Sequence, residues 1–158
     1  LNFVETINAP IFFDPGFDPH KTVNLGRIVE RWGVVPFAHL AQFADPKYTY
    51  AYIGSDDFTM YPILPPGSFV QIDERLNKVR DDAWRSELER PIYFVETRED
   101  FYCSWCSIQE NQLVLLPHPL SRTPMRTFRY RQEVEIVGQV VAVAMRLDGC
   151  GASRPGRD

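Results

Sequence analysis

The sequence predicts a mainly β domain preceded by a short helical segment. Beyond residue 47 the chain alternates runs rich in aromatic and β-branched residues with turns rich in Pro, Gly and charge, which is typical of strands joined by hairpins. Before that point, apolar residues recur at intervals of three and four, which is typical of helices. With 158 residues and 44% hydrophobic content, the chain can bury one core.

Four segments follow from this pattern. Residues 1–22 are predicted to form an arm or linker, because prolines interrupt regular structure there. Residues 23–46 are predicted to form the helical segment, and residues 47–147 the β domain. Residues 148–158 are rich in Gly and charge, so we expect a disordered tail.

The helical segment is expected to begin at Asn24, whose side chain suits an N-cap, with apolar residues at helical spacing from Leu25 onward. Pro36 suits the first position of a second short helix. A further helix is expected over 81–88, within a charged segment. The predicted strands are 48–54, 68–73, 91–96, 101–107, 112–116, 127–130 and 134–145.

Composition excludes several classes of protein. The net charge is −4, and the 14 Arg and 3 Lys residues are scattered, so the chain lacks the basic footprint of a domain that grips DNA itself. No apolar run approaches the roughly 20 residues that cross a bilayer, and no signal peptide opens the chain, which indicates a cytoplasmic protein without a membrane partner. No cofactor is expected.

The sequence 58–62, Phe-Thr-Met-Tyr-Pro, places a hydroxyl on a turn between two predicted strands. Prolines and Gly67 make the connection to the next strand stiff. The hydroxyl of Thr59 has two readings at this point. It either caps the turn or serves as a nucleophile.

These residues carry a resemblance to a known family. Phe58 to Pro62, followed by Pro66-Gly67 and a strand ending at Asp73, resembles the C-terminal regulatory domain of LexA-like repressors, which are self-cleaving Ser-Lys peptidases related in fold to signal peptidase I. The hairpin ending in Leu-Leu-Pro at 115–117 and the strand Val-Glu-Ile-Val-Gly-Gln-Val-Val at 134–141 extend the resemblance over about residues 48–147. It implies twisted β-sheets of that type.

The resemblance also implies that the catalytic dyad is lost. The nucleophilic Ser of the family falls on Thr59, and its catalytic Lys falls on Ser104, which cannot act as a base. Asp56, Asp57 and His118 are the alternative bases, although nothing in the sequence orients them. The Ala-Gly or Cys-Gly pair that the family cleaves is absent from residues 1–57. We therefore expect a pseudo-peptidase.

In place of catalysis, the resemblance implies a vestigial cleft that binds a peptide segment, such as the arm Leu1–Lys21, without cutting it. The expected cleft residues surround Thr59 and Ser104. They are Phe58, Met60, Tyr61 and Pro62. Phe101, Trp105 and the tyrosines 48, 50 and 52 either line this cleft or pack in the core.

The strand 134–145 is apolar on both faces, so we expect it to be central or buried in a dimer. The predicted dimer residues are Val137, Val140, Val141 and Val143. Such a homodimer would set the half-site spacing of a helix-turn-helix domain upstream of this chain, which would contact DNA.

Cys103 and Cys106 form a C-x-x-C pair, but on a regular strand residues three apart point to opposite faces, so no metal site is expected. Three Cys residues without a secretory signal favour reduced thiols. A bulge, or the approach of Cys150, would allow a thiol sensor. Two alternatives to the regulatory function therefore remain: an active self-cleaving peptidase that uses Thr59, and a small-molecule or redox sensor.

Overall fold

The computed structural model describes residues 2–4, 18–26, 45, 47–80 and 83–144, and it consists of strands joined by turns. In this part of the chain there is no helix. The strands are β1 (Asn2–Val4), β2 (Val23–Gly26), β3 (Thr49–Tyr52), β4 (Phe69–Asp73), β5 (Tyr93–Thr97), β6 (Phe101–Gln109), β7 (Gln112–Leu116), β8 (Arg126–Arg129) and β9 (Val134–Ala144).

The strands form one curled, half-barrel sheet in the order β2-β3-β4-β9-β5-β6-β7-β8, with antiparallel neighbours throughout. The prediction of a mainly β domain is confirmed. β1 pairs in parallel with the end of β9, so the predicted arm contains one short strand. The described residues therefore include no helix that is long and apolar enough to cross a membrane.

The closing strand β9 is the centre of the sheet. Residues 134–139 pair with β5, and residues 139–144 pair with β4. The register shifts twice, which leaves Val137 and Val141 as bulge residues. Bulges increase the local twist of a sheet, and these two accompany its curling. Gly138 lies between them, where an added Cβ would meet Asp73 O at 2.4 Å, so the close approach of β4 requires glycine.

Each face of the sheet covers its own apolar cluster. Phe94, Val140 and Val143 belong to the first cluster, which the turn after β3 closes with Met60 and Leu64. The second cluster lies on the other face. It contains Tyr93, Val95, Cys106, Leu113, Leu115, Val134 and Ile136.

The helix expected to begin at Asn24 is wrong over its described residues, because Val23–Gly26 form β2. The Asn24 side chain accepts a hydrogen bond from Gly26 N at 2.8 Å, at a bulge where Gly26 has φ of 67°. An asparagine uses the same oxygen in an N-cap and in an Asx turn, which explains the misinterpretation. Residues 27–44, with the second helix expected from Pro36, lie outside the described residues.

The helix expected over 81–88 is also wrong where the chain is described. Residues 83–90 form turns, in which Glu89 N donates to Ser86 O at 3.1 Å. The guanidinium of Arg90 lies between the rings of Trp84 and Trp105, 4.7 and 4.8 Å from their centroids. This stacking holds the end of the segment against Trp105 of β6. The expected tail lies outside the described residues.

Candidate functional site

A groove of about 270 Å³ opens beside Thr59. Its walls come from residues 20–22, the turn after β3, the start of β6 and the connection between β7 and β8. The side chains that shape its chemistry are Lys21, Asp57, Thr59, Phe101 and Arg126.

The turn that carries Thr59 is fixed by local hydrogen bonds. Thr59 N donates to Asp57 Oδ1 at 3.0 Å, which is an Asx turn. Leu64 N donates to Met60 O at 2.9 Å, and both of these side chains are buried in the first cluster. The turn is therefore held from below by apolar packing and at its start by a carboxylate.

The carboxylate of Asp57 receives two hydroxyl groups. Thr59 Oγ1 donates to Asp57 Oδ1 at 2.6 Å, and Thr22 Oγ1 donates to Asp57 Oδ2. Thr22 Oγ1 in turn accepts from Gly54 N at 3.1 Å. Asp57 thus joins the turn to the segment that leads into β2.

That segment, residues 18–22, is called the strap below. Ser55 N donates to Pro19 O at 2.9 Å, and Asp56 N donates to His20 O at 3.2 Å. A Cβ added at Gly54 would lie 2.4 Å from His20 O. The strap can approach this closely only because residue 54 is glycine.

The structure does not bring Ser104 to Thr59. Ser104 pairs with Tyr93 and is buried on the face of the second cluster. The turn of Thr59 covers the opposite face, where Cys103 is the nearest matching position on β6 because it packs in the same cluster as Met60. Burial raises the pKa of the Cys103 thiol, and the negative charge of Asp57 raises it further. This thiol is a poor base and a poor nucleophile.

The alternative bases lie in three different arrangements. Asp57 accepts the hydrogen bond of the Thr59 hydroxyl. His118 contacts Thr59 only through the backbone, with its N–H donating to Thr59 O at 3.0 Å. Asp56 lies beside His20, with 3.6 Å between Asp56 Oδ2 and His20 Nδ1. Lys21, which was predicted to lie in the arm, lines the groove itself.

Of the predicted cleft residues, Phe58 and Tyr61 point outward, with 48% and 45% of their surfaces exposed. Their rings meet edge to face at 5.8 Å. Met60 is buried and Pro62 is exposed. The outward aromatic pair and Leu120 line a second groove of about 420 Å³. Asp56, Phe58 and Thr123 line both grooves, which are therefore neighbours on the surface.

A serine and a histidine also meet at the rim of the groove. Ser55 Oγ lies 3.0 Å from His20 Nδ1, the same nitrogen that faces Asp56. A relay needs the two ring nitrogens to serve different partners, so this pair is not a triad. The N–H groups of residues 55–57 all donate within the turn and to the strap, which leaves them unable to stabilise an oxyanion.

The C-x-x-C pair lies on a strand without a bulge, and its two thiols belong to opposite clusters. This confirms that Cys103 and Cys106 point to opposite faces. Burial raises the pKa of Cys106 to about 12. Among the described residues there is no group of three His, Cys, Asp or Glu side chains that could hold a metal ion.

The predicted dimer residues take two positions. Val140 and Val143 are buried in the first cluster, whereas Val137 and Val141 are the half-buried bulge residues. Because β4 and β5 occupy the edges of β9, a dimer through this strand would have to use a face of the sheet.

The aromatic residues that were predicted to lie in the cleft or in the core are found in both places. Tyr50, Tyr52 and Trp105 are buried in the core, and Phe101 lines the groove and stacks on Phe94 at 5.4 Å.

The sequence predicted one part of the site and missed another. Sequence reasoning identified the turn of Thr59, but it missed the strap and Asp57, which are brought together by a contact across 35 residues. The only signal was Gly54, a glycine at the end of a strand where a backbone approach is expected. Comparison of the sequence with models of known families and with curated proteins finds no match.

Proposed function

We propose that this chain is the regulatory and dimerisation domain of a bacterial or phage-type helix-turn-helix transcriptional regulator, with a LexA-like fold and no peptidase activity. The observation that carries the proposal is the 2.6 Å hydrogen bond from Thr59 Oγ1 to Asp57 Oδ1. The same oxygen caps the turn through Thr59 N, so the hydroxyl is held in a structural arrangement.

The chemistry of the groove supports the absence of cleavage. General bases act best when their pKa lies close to the working pH, and the Asp57 carboxylate is already engaged as the acceptor that caps the turn. The second oxygen of Asp57 is occupied by Thr22, and the thiol that faces the turn is Cys103. Nothing in this set resembles the lysine that the family uses.

The groove retains the properties of a peptide site. The second groove adjoins it, and the exposed apolar side chains along the two are Phe58, Tyr61 and Leu120. Arginine and aspartate side chains stand at its rim, where they can pair with a peptide backbone or side chains. We infer that an extended segment binds here without being cut, with the part of the arm that precedes the strap as the first candidate.

DNA contacts belong, under this proposal, to a helix-turn-helix domain outside this chain, because a net charge of −4 gives the chain no basic footprint. The domain works in the cytoplasm as a homodimer. Sedimentation equilibrium tests the dimer: Val141→Lys should give a folded monomer, and Ile108→Lys, at an exposed apolar position of β6, should leave the dimer intact. A monomer for the unchanged chain contradicts this part of the proposal.

Peptide binding is tested with an extended-peptide library displayed on phage and selected against the whole chain. Phe58→Lys should abolish the selection, since it places a charge on the apolar wall, while Ile108→Lys is the matched control. Incubation of the chain from about pH 7 to about pH 10, followed by intact mass measurement, should show no defined fragment. Binding without cleavage supports the proposal, and cleavage that requires Thr59 refutes it.

One observation favours the alternative of an active self-cleaving peptidase. Lys21 lines the same groove as Thr59, and a lysine can serve as the base for a hydroxyl once it is deprotonated. On this alternative, a fragment appears at alkaline pH and disappears in both Thr59→Ala and Lys21→Gln. Lys47→Gln is the control, because Lys47 lies on the ring of Tyr48.

A further inference from the structure

His118 is a buried histidine on which three separate segments meet. Only 4% of its surface is exposed. Its ring lies 5.5 Å from the ring of Trp105 on β6 and bonds to Glu87 from the segment 83–90. Its backbone N–H donates a hydrogen bond to the carbonyl of Thr59.

The hydrogen bonds fix the protonation of the ring. Leu120 N donates to His118 Nδ1 at 3.1 Å, so Nδ1 presents its lone pair. The proton of the neutral ring is therefore on Nε2, which donates to Glu87 Oε2 at 2.9 Å. Both nitrogens are used, and only this neutral tautomer satisfies both partners.

The hydrogen bond from Leu120 N to Nδ1 holds the segment 119–123, which is called the wall below. Residues 120–123 line the second groove, and Thr123 lines the groove beside Thr59 as well. Leu120 has 72% of its surface exposed, so apolar burial does little to hold this wall in place. Besides the bond from Leu120, Ser121 N donates to His118 O at 2.8 Å. The wall is thus fastened to the rest of the domain at His118.

We propose that His118 is a proton-operated latch for this wall of the groove. A proton from solvent binds Nδ1, and the lone pair that accepted the Leu120 N–H is consumed. Two N–H donors then face each other and the hydrogen bond from Leu120 breaks, so the wall keeps only the bond from Ser121 N of the two bonds that fasten it to His118. Mild acid loosens this wall of the groove and neutral solution fastens it.

The charges around the ring are compatible with this step. The carboxylate of Glu87 continues to accept from Nε2 and stabilises the positive ring, as opposite charges do. Arg90 lies on the ring of Trp105, which contacts His118, and opposes the positive charge. From the turn, the neutral carbonyl of Thr59 faces the backbone of His118, and Asp57 is bound to the two threonine hydroxyls.

The biological meaning of the latch rests on the proposed peptide groove, but the protonation step does not. Amide exchange measured by NMR on the whole chain without peptide tests the latch alone. Between about pH 8 and about pH 5, the range in which histidines titrate, protection of the Leu120 amide should fall by roughly tenfold or more after correction for the intrinsic exchange rate. Protection of amides in β9 should stay constant.

Two variants sharpen the test. His118→Gln keeps an acceptor and a donor but has no titrating group, so its Leu120 protection should not change with pH. Glu87→Gln removes the negative charge beside Nε2, so the loss of Leu120 protection should move to lower pH in this variant. Glu87 is a surface residue, so this variant tests the latch even where His118→Gln fails to fold.

The control is His20→Gln, because His20 is exposed and lies at the strap, away from the wall. It should leave the Leu120 profile unchanged. Protection of Leu120 that stays constant across the pH range, or a midpoint that does not move in Glu87→Gln, overturns the latch. If peptide binding fails while Leu120 still opens in acid, the proposed function falls and the latch stands.

Discussion

The centre of the sheet and the wall of the groove are stabilised in different ways. At the centre, Phe94, Val140 and Val143 are buried among apolar neighbours. Around the groove, Asp57 and His118 hold separate segments together by hydrogen bonds from side chains. Apolar packing is insensitive to pH, whereas each polar contact depends on the protonation or presence of one group. The stability of the sheet therefore rests on apolar packing. The contacts around the groove rest on single polar groups, so the loss or protonation of one group can break them.

Phe94→Ala should have the largest effect, because it opens a cavity in the first cluster and removes the stack on Phe101. We expect a loss of about 3–5 kcal/mol in the free energy of unfolding, measured in urea. Leu88→Ala is the control, since Leu88 is exposed, and should change the free energy by less than about 0.5 kcal/mol. A loss in Phe94→Ala as small as that of the control contradicts the role given to the first cluster.

Gly54→Ala should break the attachment of the strap, because the new methyl group would occupy the position of the His20 carbonyl. We expect a cost of about 1–3 kcal/mol, with fast amide exchange at residues 55 and 56 while β9 stays protected. Ser55→Ala changes an exposed neighbour and should keep both amides protected. Unchanged exchange in Gly54→Ala would mean that the strap is held elsewhere.

Asp57→Asn tests the carboxylate that joins the strap to the turn. An amide keeps an acceptor for one hydroxyl only, so we expect a loss of about 1 kcal/mol and increased exchange at Thr59 and Gly54. Asp56→Asn, on an exposed side chain, is the matched control. Equal effects of the two substitutions would count against the special position of Asp57.

The smallest effect is expected at Asp73, the last residue of β4. Hydrogen bonding to Arg75 lowers the pKa of Asp73 in the folded chain. Its contribution to stability is therefore complete at neutral pH and is lost as the pH falls from about 4, the ordinary value, through the lowered pKa. In Arg75→Gln this part of the acid dependence, measured by urea unfolding at several pH values, should become smaller but remain, because the backbone N–H of residue 75 still donates to Asp73 Oδ1. If the free energy of unfolding depends on pH in the same way in Arg75→Gln and in the unchanged chain, the contribution assigned to the Asp73–Arg75 pair is wrong.

The sequence predicted the sheet well because alternation and turn residues are local signals. The strand Gln112–Leu116 was predicted to the residue, and β9 begins at the predicted residue 134 and continues to Ala144, where the described part of the chain ends. The bulges at Val137 and Val141 could not be predicted, since they depend on how β4 and β5 meet β9. The helix at Asn24 was wrong because one side chain suits two local structures.

The site was harder to predict than the sheet, because an error of one residue along a strand places a side chain on the wrong face. The resemblance placed the expected position of a base at Ser104, but successive side chains of a strand point to opposite faces. An offset of one residue exchanges Ser104 for Cys103 and so exchanges the two faces of the sheet. Contacts such as Thr22 with Asp57 leave no periodic pattern at all.

The attachment of the strap also gives the domain a short mechanical path. Tension applied at residue 18 would pass along the strap to Thr22, where it divides between the chain that continues into β2 and the hydrogen bond to Asp57. Asp57 also holds the hydroxyl of Thr59, so a pull on the strap would act on the turn as well as on β2.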